Sequence, residues 1–102
     1  MPCPRLFWGI AETESDMIPY AIGQDGHDRG LWQYRDFYDA ERGLKNPFDP
    51  VESTALARKE FLSHLESLGS LGLAVTAHRW GEAGARKHGI DREYFAKVKG
   101  YE

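Results

Sequence analysis

Apolar positions recur at helical spacing in several stretches of the chain, and each stretch predicts a helix. In the first, Phe7, Ala11 and Glu14 fall at i, i+4 and i+7 on one face, with Leu6 and Ile10 flanking it. Pro4 suits a first turn, so residues 4–15 read as a helix whose core-facing side ends at Glu14. Glu12 lies about 200° around that helix from Glu14 and is expected in solvent. Pro19 disfavours helical geometry at Ile18, which stops any continuation.

Residues 16–30 carry Gly23, Gly26 and Gly30 and read as loop. A short helix or turn at Leu31–Tyr38 follows. Asn46-Pro47-Phe48-Asp49-Pro50 is a second break, and it opens the clearest helix of the chain. There Asp49 is the expected N-cap, Pro50 stands at N1 and Glu52 completes a capping-box-like pattern. Ala57, Phe61, Leu65 and Leu68 form its apolar stripe, with Leu62 beside it; Arg58, Lys59, Glu60 and Glu66 form the wet side; Gly69 is the stop.

Leu71–Trp80 reads as a buried helix whose face of Leu73, Ala74, Ala77 and Gly81 is thin enough for close packing. Glu82–His88 reads as a short polar helix ended by Gly89. Asp91 is expected to cap a last helix through Lys99, with Phe95 and Val98 inward and Gly100 as its end. No stretch alternates as a strand does. The expected class is all-α, with no sheet larger than a small β-hairpin.

The 102 residues are expected to form one domain over 1–102. The formal charge of −3 leaves no basic footprint for nucleic acid. Cys3 is the single cysteine, so no internal disulfide forms. No apolar run approaches the ~18 residues of a membrane span, and Met1-Pro2-Cys3-Pro4-Arg5 lacks the apolar core of an export signal. His27, His64, His78 and His88 lack metal-ligand spacing, so no metal and no cofactor are expected. No Lys-Ser/Thr follows Gly26–Gly30, which excludes a phosphate loop. No Ser/His/Asp triad motif is present.

The candidate chemistry gathers around Glu14. An apolar helix segment ends at this carboxylate, and a Gly-rich loop that returns at Gly30-Leu31-Trp32-Gln33 can wrap it. Partial desolvation is expected to raise a carboxyl pKa, as a general acid near neutral pH requires.

Glu14-Ser15, Pro19-Tyr20-Ala21 and Gly30-Leu31-Trp32-Gln33 together resemble the soluble lytic transglycosylase and goose-type lysozyme family. That family has a catalytic Glu followed by Ser, then Pro-x-Ala, then Gly-Leu-Met-Gln. Phe48-Asp49-Pro50 fits the Asp-Pro that tends to precede its long helix. Ala77-His78-Arg79-Trp80-Gly81 stands where the family has Ala-Tyr-Asn-x-Gly, with His for Tyr and Arg for Asn. Glu93-Tyr94-Phe95-Ala96-Lys97-Val98-Lys99-Gly100-Tyr101 resembles its closing Tyr-Val-x-x-Val segment.

The resemblance implies a lysozyme-like fold and a peptidoglycan lytic transglycosylase or muramidase, cleaving the β-1,4 bond between N-acetylmuramic acid and N-acetylglucosamine. Glu14 is then the catalytic acid/base, although a helix-terminal Glu is, on composition alone, a solvated one. Ser15, Gln33, Trp32, His78 and Tyr94 are the implied substrate-binding residues. Each has a plainer reading: a helix-end Ser, a loop amide serving backbone, a core Trp with partial exposure, a core-edge His and a half-buried Tyr. Ser15 and Gln33 are expected near the Glu14 carboxyl. Asp25 or Asp28 is the candidate second carboxylate of a hydrolase; transglycosylation needs only one acid. Arg79 close to Glu14 would lower the acid's pKa and oppose its role. The implied partner is the peptidoglycan glycan strand, met by a monomer in the periplasm or outside the cell. The alternative is a weakened or inactive lysozyme-like module that binds cell wall or a structural partner.

Overall fold

Pro4, Leu6, Phe7, Ile10 and Ala11 give the first helix, α1 (Pro4–Ser15), its bounds and its buried side, as the apolar spacing predicts. A computed structural model describes residues 1–100; Tyr101, at the end of the segment likened to the family's closing tyrosine stretch, lies outside the described residues. The described chain is mostly helical, with five helices and one small antiparallel sheet. The sheet strands are β1 (Asp28–Arg29) and β2 (Tyr34–Arg35), and the remaining helices are α2 (Asp39–Arg42), α3 (Pro50–Leu68), α4 (Leu71–His88) and α5 (Arg92–Lys99). The chain divides into two compact units, Ala11–Arg58 and Met1–Ile10 with Lys59–Glu102.

In the unit Ala11–Arg58, β1 pairs with β2 in the register Asp28↔Arg35 and Arg29↔Tyr34, and Ile22 bridges to Arg29 from the other side. The chain from Ala21 to Gly30 closes on itself: Gly23 N donates to Asp28 O at 2.8 Å and Gly30 N to Ala21 O at 2.9 Å. The pairing refines the expected short helix or turn at Leu31–Tyr38. Residues 31–33 form a turn, 34–35 are extended by their partner strand, and helical geometry starts only in the 3-10 turn Asp36–Tyr38 that leads into α2. Strands of two residues are too short to show alternation, so the sequence carries no period for them.

The core of this unit is Trp32, fully buried, with Ala11, Leu31, Tyr34, Leu44 and Ala57. Trp32 Nε1–H donates to Thr54 Oγ1 on α3 at 3.0 Å. Gly30 is fixed by geometry: its φ is +84°, and a Cβ there would stand 1.9 Å from the Pro47 carbonyl oxygen. No side chain fits both conditions. Asp49 caps α3, accepting from Val51 N at 2.9 Å and Glu52 N at 3.3 Å. Glu52 departs from the capping box. Its carboxylate accepts from Lys45 N at 2.7 Å and Asn46 N at 2.9 Å, so it ties down the preceding break rather than its own helix cap.

In the other unit, Leu6, Phe7 and Ile10 are buried with Phe61, Ala74, Val75, Ala77, Ala85, Tyr94 and Val98. The Phe7 and Phe61 rings sit 5.6 Å apart. At Gly9 a Cβ would come within 2.5 Å of the Val98 carbonyl oxygen, so α1 lies directly on the backbone of α5 there. Ser70 Oγ caps α4 by accepting from Leu73 N at 3.2 Å, and Asp91 caps α5 by accepting from Tyr94 N at 3.0 Å. Gly81, with φ +75° and ψ 169°, leaves helical geometry inside α4, which separates the apolar 71–80 part from the polar 82–88 part as the composition predicts.

Three burial expectations are corrected. Tyr94, not Phe95, accompanies Val98 inward on α5; the two stand at i and i+4 on the buried face of the helix, and Phe95 is half-buried beside it. Gly81 is exposed rather than part of the buried small-residue face. Glu12 is half-buried rather than free in solvent.

Candidate functional site

Glu14 sits in the last turn of α1 and is half-buried. Ser15 closes the helix; its hydroxyl donates to the Ala11 carbonyl at 3.0 Å, and the residue is buried. The chain then leaves through Asp16 and Met17, at φ +54° and +62°. Left-handed backbone is costly for residues with a Cβ, and such strain concentrates at functional segments. Gln33 is at φ +52° as well, so three of the four non-glycine residues with positive φ among the described residues lie in the loop between Glu14 and β2.

Gln33 holds that loop shut. Its Nε2 donates to the Gly30 carbonyl at 2.9 Å and to the Ala21 carbonyl at 3.2 Å. The Gln33 carboxamide oxygen lies against Gly23, where an added Cβ would meet it at 3.2 Å. One half-buried amide thereby ties the start, the tip and the return of the loop. Trp32, next to it, is wholly buried, so the partial exposure expected of it is absent: the indole fills the core and its N–H is engaged by Thr54. A ring with no exposed face has none to offer a sugar.

The two loop carboxylates that the sequence offers as second acids share one partner. Arg35 Nη1 donates to Asp28 Oδ1 at 3.1 Å, and Arg35 Nη2 donates to Asp25 Oδ2. The Asp25 side chain also accepts from His27 N at 3.0 Å. That backbone N–H and the guanidinium hold the Asp25 carboxyl below the usual carboxylate range, and the same contact raises Arg35 further. Beside them His27 Nδ1 meets Asp36 Oδ1 at 3.0 Å, and Arg29 approaches Asp36 at 3.4 Å.

Asp39 is a residue that sequence reasoning missed. Burial pushes its carboxyl up from the usual range, with Arg42 opposing, and its Oδ1 is buried without a hydrogen-bond partner. The Arg42 guanidinium stacks 4.8 Å above the Tyr34 ring and 5.6 Å from the Tyr38 ring. No spacing signal marks this cluster, because the 3-10 turn that assembles it has no sequence period.

The other candidate residues belong to the second unit. His78 is half-buried on α4 and Tyr94 is buried on α5. Arg79 is exposed; it pairs with Asp91 at 3.7 Å and lies over the Tyr94 ring at 5.2 Å. Its charge is thus spent beside a candidate tyrosine. Among the described residues no group of three or more His, Cys, Asp or Glu is placed to hold a metal ion. No described helix is long and apolar enough to cross a membrane.

A family model, described as transglycosylase SLT domain, matches residues 2–99. The chain belongs to the transglycosylase SLT domain family. No curated protein and no solved structure matches it. Transglycosylase SLT domains act on peptidoglycan and carry glycosidase or transglycosylase chemistry as a family. Their action on the cell wall implies a place in the periplasm or outside the cell. Within the SLT frame, Glu14-Ser15 at a helix end and Gly30-Leu31-Trp32-Gln33 at a closed loop occupy one unit. The stretch Ala77-His78-Arg79-Trp80-Gly81 occupies the other.

Proposed function

We propose that this chain cleaves the β-1,4 bond between N-acetylmuramic acid and N-acetylglucosamine in peptidoglycan, with Glu14 as the general acid and base. The observation that carries the reading is the SLT match over residues 2–99 together with the place of Glu14, half-buried at the end of α1 before a strained loop. The protonated Glu14 carboxyl donates its proton to the glycosidic oxygen, and the leaving sugar departs with that oxygen. The muramic C1 becomes oxocarbenium-like. The Glu14 carboxylate then takes the proton of the muramic 6-hydroxyl, whose oxygen attacks C1 and closes a 1,6-anhydro ring. No water is consumed, and Glu14 ends protonated for the next turnover.

Two ion pairs favour this intramolecular route over hydrolysis. Asp25 and Asp28 both bind Arg35, so each carboxylate is already engaged by a guanidinium rather than turned to a substrate. Gln33 and Ser15 act in this reading as the residues that shape the loop beside Glu14, with His78 and Tyr94 as glycan contacts. A single SLT domain over 1–102, acting as a monomer without cofactor on the envelope side of the membrane, fits the reading.

A second reading is a wall-binding module without turnover. Arg79 favours it, since it replaces the family's Asn and covers Tyr94 with a cation. One experiment separates the two: purified peptidoglycan incubated with the protein and with Glu14→Gln. The variant is expected to lose about 10²-fold or more in turnover while keeping wall binding and fold. Equal turnover by both proteins rejects Glu14 as the acid. Binding without turnover by either supports the module.

A further inference from the structure

Trp80 and His88 are eight residues apart on α4, which a straight helix would separate by about 12 Å along its axis. Their ring centroids are nevertheless 5.8 Å apart with planes at 77°. The break at Gly81 brings them together. Its φ of +75° turns the chain, and a Cβ at that position would touch nothing within 4 Å, so the turn is not forced by crowding. Gly84 completes the arrangement: a Cβ there would stand 2.8 Å from Trp80 Cβ, so the indole stem crosses the helix where a side chain is missing.

The polar 82–88 part is held from its inner side. Glu82 accepts from Ser67 Oγ at 2.8 Å and meets His64 Nδ1 at 2.7 Å, while Arg86 donates to Ser67 Oγ at 2.6 Å. Ala85 is fully buried beneath it. The outer side keeps Trp80 41% exposed, with His88 exposed next to it. An aromatic corner fixed from below and open above is preorganised for a ligand.

We infer that the Trp80–His88 corner is an accessory saccharide-binding site that takes an N-acetylhexosamine ring of the glycan strand. The inference rests on the proposed glycan substrate. An indole face suits the C–H face of a pyranose and the methyl of an N-acetyl group, and a perpendicular imidazole offers a ring nitrogen to a hydroxyl at the rim. Of the neighbouring cations, Arg79 pairs with Asp91 and Arg86 with Ser67, while exposed Lys87 flanks His88 at the rim of the corner.

The test titrates the full chain with tri-N-acetylchitotriose and follows the Trp80 indole N–H by NMR, alongside co-sedimentation with insoluble peptidoglycan. The Trp80 signal is expected to move. Trp80→Ala is expected to weaken wall binding about tenfold, and Trp80→Phe about two- to threefold, with turnover of a short soluble glycan unchanged. Should Trp80→Ala fold poorly, His88→Ala keeps the test open, with a loss of binding in the same direction. A static Trp80 signal, full wall binding by Trp80→Phe and His88→Ala, or self-association that Trp80→Ala abolishes would overturn the inference. Turnover with a static Trp80 signal sinks this inference alone; a moving signal with Glu14→Gln as active as the original sinks the catalytic reading alone.

Discussion

The loop from Glu14 to Gln33 and the signature stretch Ala77–Gly81 stand in different units, and they use their matched residues in opposite ways. In the loop the matched side chains serve the backbone. Ser15 binds Ala11, Gln33 binds Ala21 and Gly30, and Gly30 occupies a position closed to any Cβ. In the signature stretch Arg79 and Trp80 are exposed and His78 is half-buried. The loop's matched residues are fixed by the conformation they hold, whereas Arg79 and Trp80 stand on the surface.

Trp32→Ala is the harshest way to break that contrast. It empties the core of the loop's unit and strands Thr54, and is expected to cost about 3–5 kcal/mol in chemical denaturation. A loss below about 1 kcal/mol would deny Trp32 its packing role. Gln33→Ala comes next. It removes two hydrogen bonds to carbonyls and is expected to cost about 1–3 kcal/mol and to speed amide exchange at Gly30. Unchanged exchange there would free Gln33 for the sugar contact that the family resemblance implies.

Arg79→Asn probes the other region. It uncovers the Tyr94 ring and restores the family's residue, and turnover is expected to rise by up to about fivefold with little change in stability. A fall in turnover would make Arg79 a useful contact instead. Glu82→Gln is the mildest. His64 first and Ser67 second hold the Glu82 carboxyl below the usual range. A depressed folded pKa means that the unfolded chain binds the proton more tightly. The stabilisation is therefore whole above the ordinary Glu range and fades as pH falls through the lowered folded value. Glu82→Gln is expected to lower Tm by about 2 °C at neutral pH and by nothing in strong acid. A difference that grew as pH fell would contradict this sign.

Much of the fold was legible because caps and stripes are local. Asp49, Asp91, Gly69 and Gly89 mark helix ends that the structure keeps, and Pro4–Ser15 keeps its bounds. A small hairpin was within the expected class, but its place was not legible, because two-residue strands have no period and Gln33 adopts a left-handed turn that glutamine rarely shows. Burial was legible in outline only. Tertiary packing, not the Asp91 cap, decides that Tyr94 faces inward, and Trp32 is bound by a partner 22 residues away, which no window of sequence reveals. At the site, the motif order picked out Glu14 and the loop, whereas Asp39 and the Trp80–His88 pair arise from a 3-10 turn and a kink that composition does not encode.

The most direct measurement is mass analysis of the soluble products released from purified peptidoglycan by the protein and by Glu14→Gln. The account predicts 1,6-anhydromuramoyl products, one water lighter than hydrolytic ones, from the protein and about 10²-fold less from the variant. Hydrolytic products would return Asp25 or Asp28 to the mechanism, and equal release by both proteins would contradict the role of Glu14.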